Sequence, residues 1–327
     1  MSPVNYPFTL SLNTDSANTL NISLNTDSPT FDVHADIAVF FTGEIYRLGH
    51  IHNDLGLSVD LTVEQTIVEL YKRYGFEYTL SLLDGEFAII LIDHNIYGLS
   101  TRLFISRDAM GIYPLMKSGM QFTNTENCVK SAHKVKPGVY YEYEKSAKVS
   151  SAWKLVGVYR WYIPRIYGRE QPASKSLLSV IDKYVESNPG IRCGCLFTTG
   201  FIDSFEMVEC LNYIIQPSKC NTISISTVAN TYCDIEERIG TPHCVIPHIS
   251  GTENIYVKIA KWIKQNVDVD LIIADIGLYG YIEEHESYID VEFRRIKWMN
   301  EFMLDEIVGI FRKHGLILKL PFLDPRI

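Results

Sequence analysis

Cys193-Gly-Cys-Leu-Phe-Thr-Thr-Gly-Phe-Ile-Asp-Ser204 decides the fold of the second half of this chain. Its first five residues form an apolar strand run, residues 198–201 a turn, and residues 203–213 a helix. A helix over residues 174–187 precedes it. Downstream come strands at 222–228 and 271–274, with a helix at 254–265 between them. Strand, turn, helix, strand is the grammar of an α/β domain around a mostly parallel sheet. The Thr199 turn falls at the carboxyl end of its strand, where open α/β sheets bind ligands and where a helix N-terminus suits phosphate. Two readings fit it: a nucleotide-phosphate loop, or an ordinary helix start capped by Asp203 or Ser204.

The first half has a different character. Ser11-Leu-Asn-Thr-Asp-Ser16 recurs as Ser23-Leu-Asn-Thr-Asp-Ser28, two strand-plus-turn pieces too short for an array. Strand runs follow at 37–41 and 87–92 and continue to about residue 143. One helix stands out between them. Thr62 and Gln65 have capping-box spacing, Val63, Ile67, Leu70, Tyr71 and Tyr74 recur at helical period, and Gly75 supplies a stop. Residues 145–175, mixing Ser, Gly, Pro and basic side chains, read as connecting chain. Within them Tyr159-Arg-Trp-Tyr162 and Arg165 read as inter-domain packing or a partner surface.

At 327 residues the chain has room for two domains, and 46% hydrophobic with 21% charged residues is globular composition. Residues 1–160 carry 13 basic against 17 acidic side chains, and the remainder 17 against 22. Neither half is basic, which argues against a nucleic-acid partner. No apolar run approaches the ~18 residues of a membrane span, and no positively charged leader is present, so a cytoplasmic protein is expected. Seven cysteines in a chain this long suit a reducing compartment and buried core thiols. Cys193 and Cys195 share one strand face, and neither they nor His243-Cys244 have zinc-module spacing. His50 and His52 read as part of a polar loop, and Glu283, Glu284, His285 and Glu286 as a solvated charge run.

Six strings occur in one order: Thr42-Gly-Glu-Ile-Tyr46, Leu83-Asp-Gly-Glu-Phe-Ala88, Ser106-Arg-Asp-Ala-Met-Gly-Ile-Tyr-Pro-Leu115, Lys136-Pro-Gly138, the Thr199 turn, and Lys319-Leu-Pro-Phe-Leu-Asp324. As an ordered set they resemble glutamine-hydrolysing asparagine synthetase, from about Thr19 onward. In that family the strings look like N-G-E-I-Y, L-x-G-x-F-A-F, A-R-D-x-x-G-x-x-P-L, P-G, S-G-G-x-D-S and R-x-P-F-L-D. The resemblance implies an α+β glutaminase-like domain of the N-terminal-nucleophile type, an αββα sandwich, over residues 1–150. It implies a linker over 151–175 and an α/β adenylating domain of the ATP-pyrophosphatase type over 176–327. The family forms β-aspartyl-AMP from aspartate and ATP, which ammonia from glutamine then attacks. The family often dimerises, so a homodimer or a protein partner is expected.

The departures from the family strings fall on the chemistry. The family nucleophile is a cysteine exposed by loss of the initiator Met; here the second residue is Ser2, followed by Pro3. The R-L-S-I segment that holds the glutamine carboxylate reads Thr19-Leu-Asn-Ile22, and the oxyanion-hole Asn is Thr42, although Gly43 and Glu44 remain. The Asp that binds the glutamine amine aligns with Val63. In S-G-G-x-D-S, Thr199 and Gly200 are followed by Phe201 where a glycine lets amides approach pyrophosphate, while Asp203, the Mg²⁺-binding position, and Ser204 are kept. The second loop, S-G-E-G-x-D-E, aligns with residues 274–280 and keeps only Gly277, with Ile276 and Tyr279 in place of its acids; a shifted register would use Glu283 and Glu284 instead. H-G-L-E reads His314-Gly-Leu-Ile317, and the family continues beyond Ile327 into further helices. These departures lead to the expectation of a degenerate family member: Ser2, Thr42, Gly43 and Glu44 as vestigial glutaminase positions, and Thr199, Gly200, Asp203, Ser204 and Gly277 as a vestigial ATP loop. Binding of glutamine and aspartate is in doubt on this reading, and ATP with Mg²⁺ at Asp203 is the cofactor set if the synthetase site is active. The alternative is an ATP-dependent ligase using ammonia or another amine.

Overall fold

The structure, a computed structural model, describes residues 9–14, 20–25, 31–34, 36–94, 100–124, 131–146, 152–162, 173–197, 202–225, 240–247, 252–276 and 304–321. The chain divides into two compact units, Met1–Pro164 and Arg165–Ile327.

In the first unit, β1 (Thr9–Thr14), β2 (Leu20–Asn25), β7 (Met116–Ser118), β8 (Gln121–Thr123) and β9 (His133–Lys134) form an antiparallel sheet in the order β2-β1-β8-β7-β9. The two copies of the sequence repeat meet here as a hairpin, with Ser11 opposite Ser23. A second antiparallel sheet contains β3 (Phe31–His34), β4 (Ile37–Ile45), β5 (Gly85–His94), β6 (Ser100–Arg107), β10 (Val139–Ser146) and β11 (Lys154–Arg160). Its order is β11-β10-β6-β5-β4-β3.

The near-continuous apolar runs of β4 and β5 have a physical reason: both faces of this sheet are covered. Ile37, Val39, Phe41, Phe87, Ile89 and Leu91 point to one face, against α1 (Leu48–Leu55), α2 (Val63–Tyr74) and α3 (Phe76–Leu82). Ala38, Phe40, Ala88, Ile90 and Ile92 point to the other, against Leu10, Leu12 and Phe122 of the first sheet. The layers among the described residues are therefore helix, sheet, sheet. The second helical layer of an αββα sandwich is not among them. Both halves of the Thr62–Gln65 capping box form.

Two expectations change. Residues 154–160 are not connecting chain: β11 pairs with β10 as the sheet's edge strand. His50 and His52 lie on α1 rather than in a loop, and His52 is buried with a ring nitrogen 2.8 Å from Thr66 Oγ1.

The second unit contains a parallel sheet of β12 (Cys193–Phe197), β13 (Cys220–Ile225), β14 (His243–Ile246), β15 (Leu271–Ala274) and β16 (Ile317–Lys319), in the order β14-β13-β12-β15-β16. Its helices are α4 (Ala173–Glu186), α5 (Ile202–Ile214), α6 (Ile255–Asn266) and α7 (Leu304–Lys313). Cys193, Cys195 and Phe197 share one face with residues of α4 and α5. Gly194 faces the other way, where a Cβ would lie 3.1 Å from Ile272 Cδ1. The buried thiols of Cys193, Cys195, Cys210 and Cys220 are not joined in disulfides. Burial pushes Cys193 up to about 12, so it is an inert core group rather than a nucleophile. Among the described residues no helix is long and apolar enough to cross a membrane.

Where β4 crosses β5, Gly43 has φ +124°, and a Cβ there would lie 2.1 Å from the carbonyl oxygen of Glu86. Gly85 approaches Glu44 O in the same way, at 2.2 Å. By contrast, Gly309 on α7 has open space around its Cβ position. Gly43→Ala is therefore expected to lower stability by about 3 kcal/mol. Gly309→Ala should raise it by about 1 kcal/mol. Urea midpoints of the two variants check both signs.

Candidate functional site

The strings of the first unit converge at one end of the six-stranded sheet. Gly43 pairs with Phe87 across the β4–β5 ladder. The Asp108 N–H donates to Phe87 O at 2.8 Å, and the Gly138 N–H donates to Asp108 O at 3.3 Å. Gly138 O in turn accepts from the N–H groups of Trp161 and Tyr162 at 3.1 and 3.2 Å. Thr42-Gly-Glu, Asp84-Gly-Glu-Phe, Arg107-Asp and Pro137-Gly thus form one backbone cluster.

At its centre are two buried charges. Arg107 is fully buried, its Nη1 donating to Val135 O at 3.2 Å and its Nη2 to Gly111 O. The Asp108 carboxylate accepts from the N–H groups of Met110, Ile112 and Tyr113 at 3.1, 2.9 and 2.9 Å. Desolvation raises the Asp108 carboxyl to about 6, against the lowering effect of Arg107 and the Tyr113 and Ile112 N–H bonds. These side-chain bonds go to backbone groups of residues 110–113 and of Val135, so the Arg-Asp string shapes the chain.

The catalytic positions of the resemblance sit beside that corner. Thr42 is buried, and its hydroxyl lies 2.6 Å from Tyr113 Oη. Gly43 lines the strand crossing, and Glu44 is half-buried opposite Glu86. Glu86 is itself buried and accepts from Tyr46 Oη at 2.7 Å. Val63 opens α2 and packs partly against the helix-side core. Trp161 stacks on Phe87 with centroids 6.4 Å apart, and its indole N–H donates to Ser106 Oγ at 3.0 Å. The Tyr159-Arg-Trp-Tyr162 segment thus belongs to the first unit. Ser2 and Thr19 lie outside the described residues.

In the second unit the chain runs from β12 outward to β13 and β14, then returns to the other side of β12 for β15 and β16. The switch point lies between the carboxyl ends of β12 and β15, where open α/β sheets bind ligands. β12 and β15 both end there. Thr199, Gly200, Phe201 and Gly277 lie outside the described residues. Asp203 and Ser204 are the second and third residues of α5, and nothing about their side chains is described. Ile276 is buried, as an apolar side chain in place of a ligand would be.

Three charged residues of the second unit are buried. Asp275, directly after β15, is fully buried, and its N–H donates to Leu196 O at 3.3 Å. Lys183 on α4 and Lys319 at the end of β16 are 1% and 2% exposed. Their ammonium groups lie 5.3 and 5.5 Å from the centre of one ring, that of Tyr184. Two lysines buried to this degree are rare, because desolvated ammonium groups need paired or polarised company. Among the described residues no cluster of His, Cys, Asp and Glu could by itself hold a metal.

Residues 17–151 match the glutamine amidotransferase domain family. Glutamine-hydrolysing asparagine synthetases are similar over longer stretches. The Rattus norvegicus protein is 33% identical over 356 residues and the Bos taurus protein 23% over 356, each alignment covering 88% of this chain and 63% of the relative. The Gallus gallus protein is 37% identical over 78 residues, covering 24% of this chain and 13% of the relative. The chain thus spans less than two thirds of the length of the curated relatives it matches.

Because the folded Asp108 carboxyl lies above its unfolded value of about 3.8, it contributes stability that is complete below about pH 4 and lost as the pH rises through about 6. The wild-type urea midpoint should therefore carry a falling contribution between pH 4 and 6, of the order of 2 kcal/mol. Asp108→Asn should remove that slope. It should also cost about 1–3 kcal/mol at pH 7, by placing an amide donor against the Tyr113 N–H. Urea titrations of both proteins across this range provide the check.

Proposed function

The chain is a distant member of the asparagine synthetase-like family, and we propose that it has lost the glutaminase and ATP-dependent synthetase activities of that family and serves as a binding or structural module. The observation that carries this reading is at Thr42. The resemblance assigns an Asn amide donor to this position, to stabilise the oxyanion of the glutaminase reaction. A threonine hydroxyl 2.6 Å from Tyr113 Oη is shorter than that amide and already engaged. Loss of such a donor costs about 3–4 kcal/mol of transition-state stabilisation. Val63 stands where the resemblance sets an amine-binding carboxylate, a second departure. Gly43 does not weigh against this, because the strand crossing by itself requires a glycine there. The N-terminal-nucleophile and ATP-pyrophosphatase folds belong to this proposal. They are supported by the two-sheet first unit and by the parallel sheet with its switch point in the second.

A second reading is favoured by one specific observation, the presence in the second unit of two buried lysines that share the Tyr184 ring, Lys183 and Lys319, and of the buried Asp275 directly after β15. On this reading the second unit is an ATP-dependent ligase acting with ammonia or another amine. Lys183 and Lys319 would hold phosphate oxygens, and Asp275 with Asp203 the Mg²⁺ ion. Bound ATP would supply an activated acyl-adenylate and release pyrophosphate.

One experiment separates the two. The purified chain is titrated calorimetrically with Mg-ATP, and the same sample is assayed for pyrophosphate with aspartate and ammonia and for glutamate with glutamine. The expected outcome is neither pyrophosphate nor glutamate. Glutamate release overturns the loss of glutaminase. Pyrophosphate release that Lys319→Met abolishes establishes the ligase.

A further inference from the structure

The helix-facing side of the six-stranded sheet carries a second set of polar groups, well away from the Thr42 cluster. Ile37, Asp93 and Arg102 form one row across β4, β5 and β6, and Thr42, Ala88 and Arg107 form another. Five residues separate the rows along each strand, about 17 Å. Strand alternation places Asp93 on the face of Ile89 and Leu91, Arg102 on that of Phe104, and Glu142 on that of Tyr140. This is the face covered by the helices. The junction of α2 and α3, at Tyr74, Gly75 and Phe76, borders a cleft of about 560 Å³ over the sheet face. That volume is within the range of small-molecule sites.

The cleft has an aromatic wall and fixed charges. Phe76 stacks on Phe104 at 4.9 Å and meets Tyr140 edge-on at 5.5 Å. The Tyr71 hydroxyl donates to Asp93 Oδ2 at 2.6 Å. Arg102 donates through Nε and Nη2 to the same oxygen, Glu142 Oε1, at 3.0 and 2.5 Å. Glu142 is 9% exposed. Among the described residues nothing donates to Glu142 Oε2 or to Asp93 Oδ1, and both carboxylates line the cleft.

The sign of the charge selects the ligand. Glu77, Asp93 and Glu142 line the cleft against Lys72 and Arg102, and the Arg102 charge is already spent on Glu142. The neighbouring phenols report the same sign. Tyr140 is raised to about 12 by burial and then by Glu77 and Glu142, and Tyr71 is raised by burial and then by its bond to Asp93. The wall also holds a cation of its own, since the Arg102 guanidinium sits 4.9 Å from the centre of the Phe104 ring. A zwitterion or carboxylate would have to displace Glu142 from Arg102. A ligand cation needs no such rearrangement.

We infer that this cleft is a binding site for a small organic cation, a primary ammonium or guanidinium on an aliphatic stem. The cationic head bonds to Asp93 Oδ1 and Glu142 Oε2, and the stem lies along the Phe76–Phe104–Tyr140 wall. The site is independent of the fate of the glutaminase and synthetase centres.

The test is a calorimetric titration of the full chain with agmatine, with succinate as the anionic counterpart. Saturable agmatine binding without succinate binding is expected. Asp93→Asn keeps the acceptor for Tyr71 but removes the charge, and should weaken agmatine about tenfold. Glu77→Gln, at an exposed position, should weaken it more modestly. Lys72→Gln removes an exposed cation and should tighten agmatine about twofold, whereas it would weaken any anion. No saturable agmatine heat with the wild type, succinate binding instead, or agmatine affinity unchanged in Asp93→Asn and Glu77→Gln alike would overturn the inference.

Discussion

The buried Arg107–Asp108 pair is the constraint on which the first unit depends. A guanidinium and a carboxylate taken out of water each demand a full set of partners. Here the partners are backbone groups at Gly111, Val135, Met110, Ile112 and Tyr113. These bonds fix the path of residues 108–115 and bring the 135–138 segment alongside. The backbone of Asp108 then extends the link to Phe87 on one side and Gly138 on the other. Through Phe87 the corner is joined to Gly43, and through Gly138 to Trp161. Four sequence strings separated by dozens of residues are held together by this one desolvated pair.

The second unit is organised by a different logic. A parallel sheet buried on both faces has no corner of this kind; its crossovers and its switch point set what lies where. Because β12 and β15 are neighbours with a reversal of strand order between them, whatever follows each strand is brought to a common crevice. Asp275 occupies such a position, one residue before the place where the resemblance sets a glutamate and this chain has Ile276. The buried lysines arrive from elements remote in sequence, α4 and β16, and meet at Tyr184.

Much of this was legible in the sequence, and the gaps have physical causes. The strands at 193–197 and 271–274 and the helix α2 announce themselves through runs, period and caps. Helix α1 carries no such signal: its N-cap is Arg47 in a left-handed conformation with no side-chain bond. Gly75 reads as a stop, yet with φ 78° it ends α2 and starts α3 in a single step. The edge strand β11 is exposed along most of its length, so its side chains lack the alternation that marks a half-buried strand. Lys183 stands in no chemical motif, and only burial in three dimensions distinguishes it from a surface charge; Lys319 and Asp275 fall inside motif strings, which do not by themselves reveal that both are buried.

The residues that match the family strings and those that depart from them separate along a physical line. Gly43 sits where any side chain would run into Glu86 O, Gly85 where it would run into Glu44 O, and Arg107 and Asp108 where removal of one partner would strand the other in the core. These positions answer to the stability of the sheet corner whatever reaction the site performs. Thr42 and Val63 answer to it far less. A hydroxyl bonded to Tyr113 and a branched apolar side chain at the start of a helix are both compatible with the same backbone. A chain released from the glutaminase reaction would retain the first group and drift at the second, and that is the distribution found here. The persistence of a motif string is therefore weak evidence for its chemistry wherever the same residues also hold a desolvated corner together. The positions that discriminate are those whose only demand comes from the substrate.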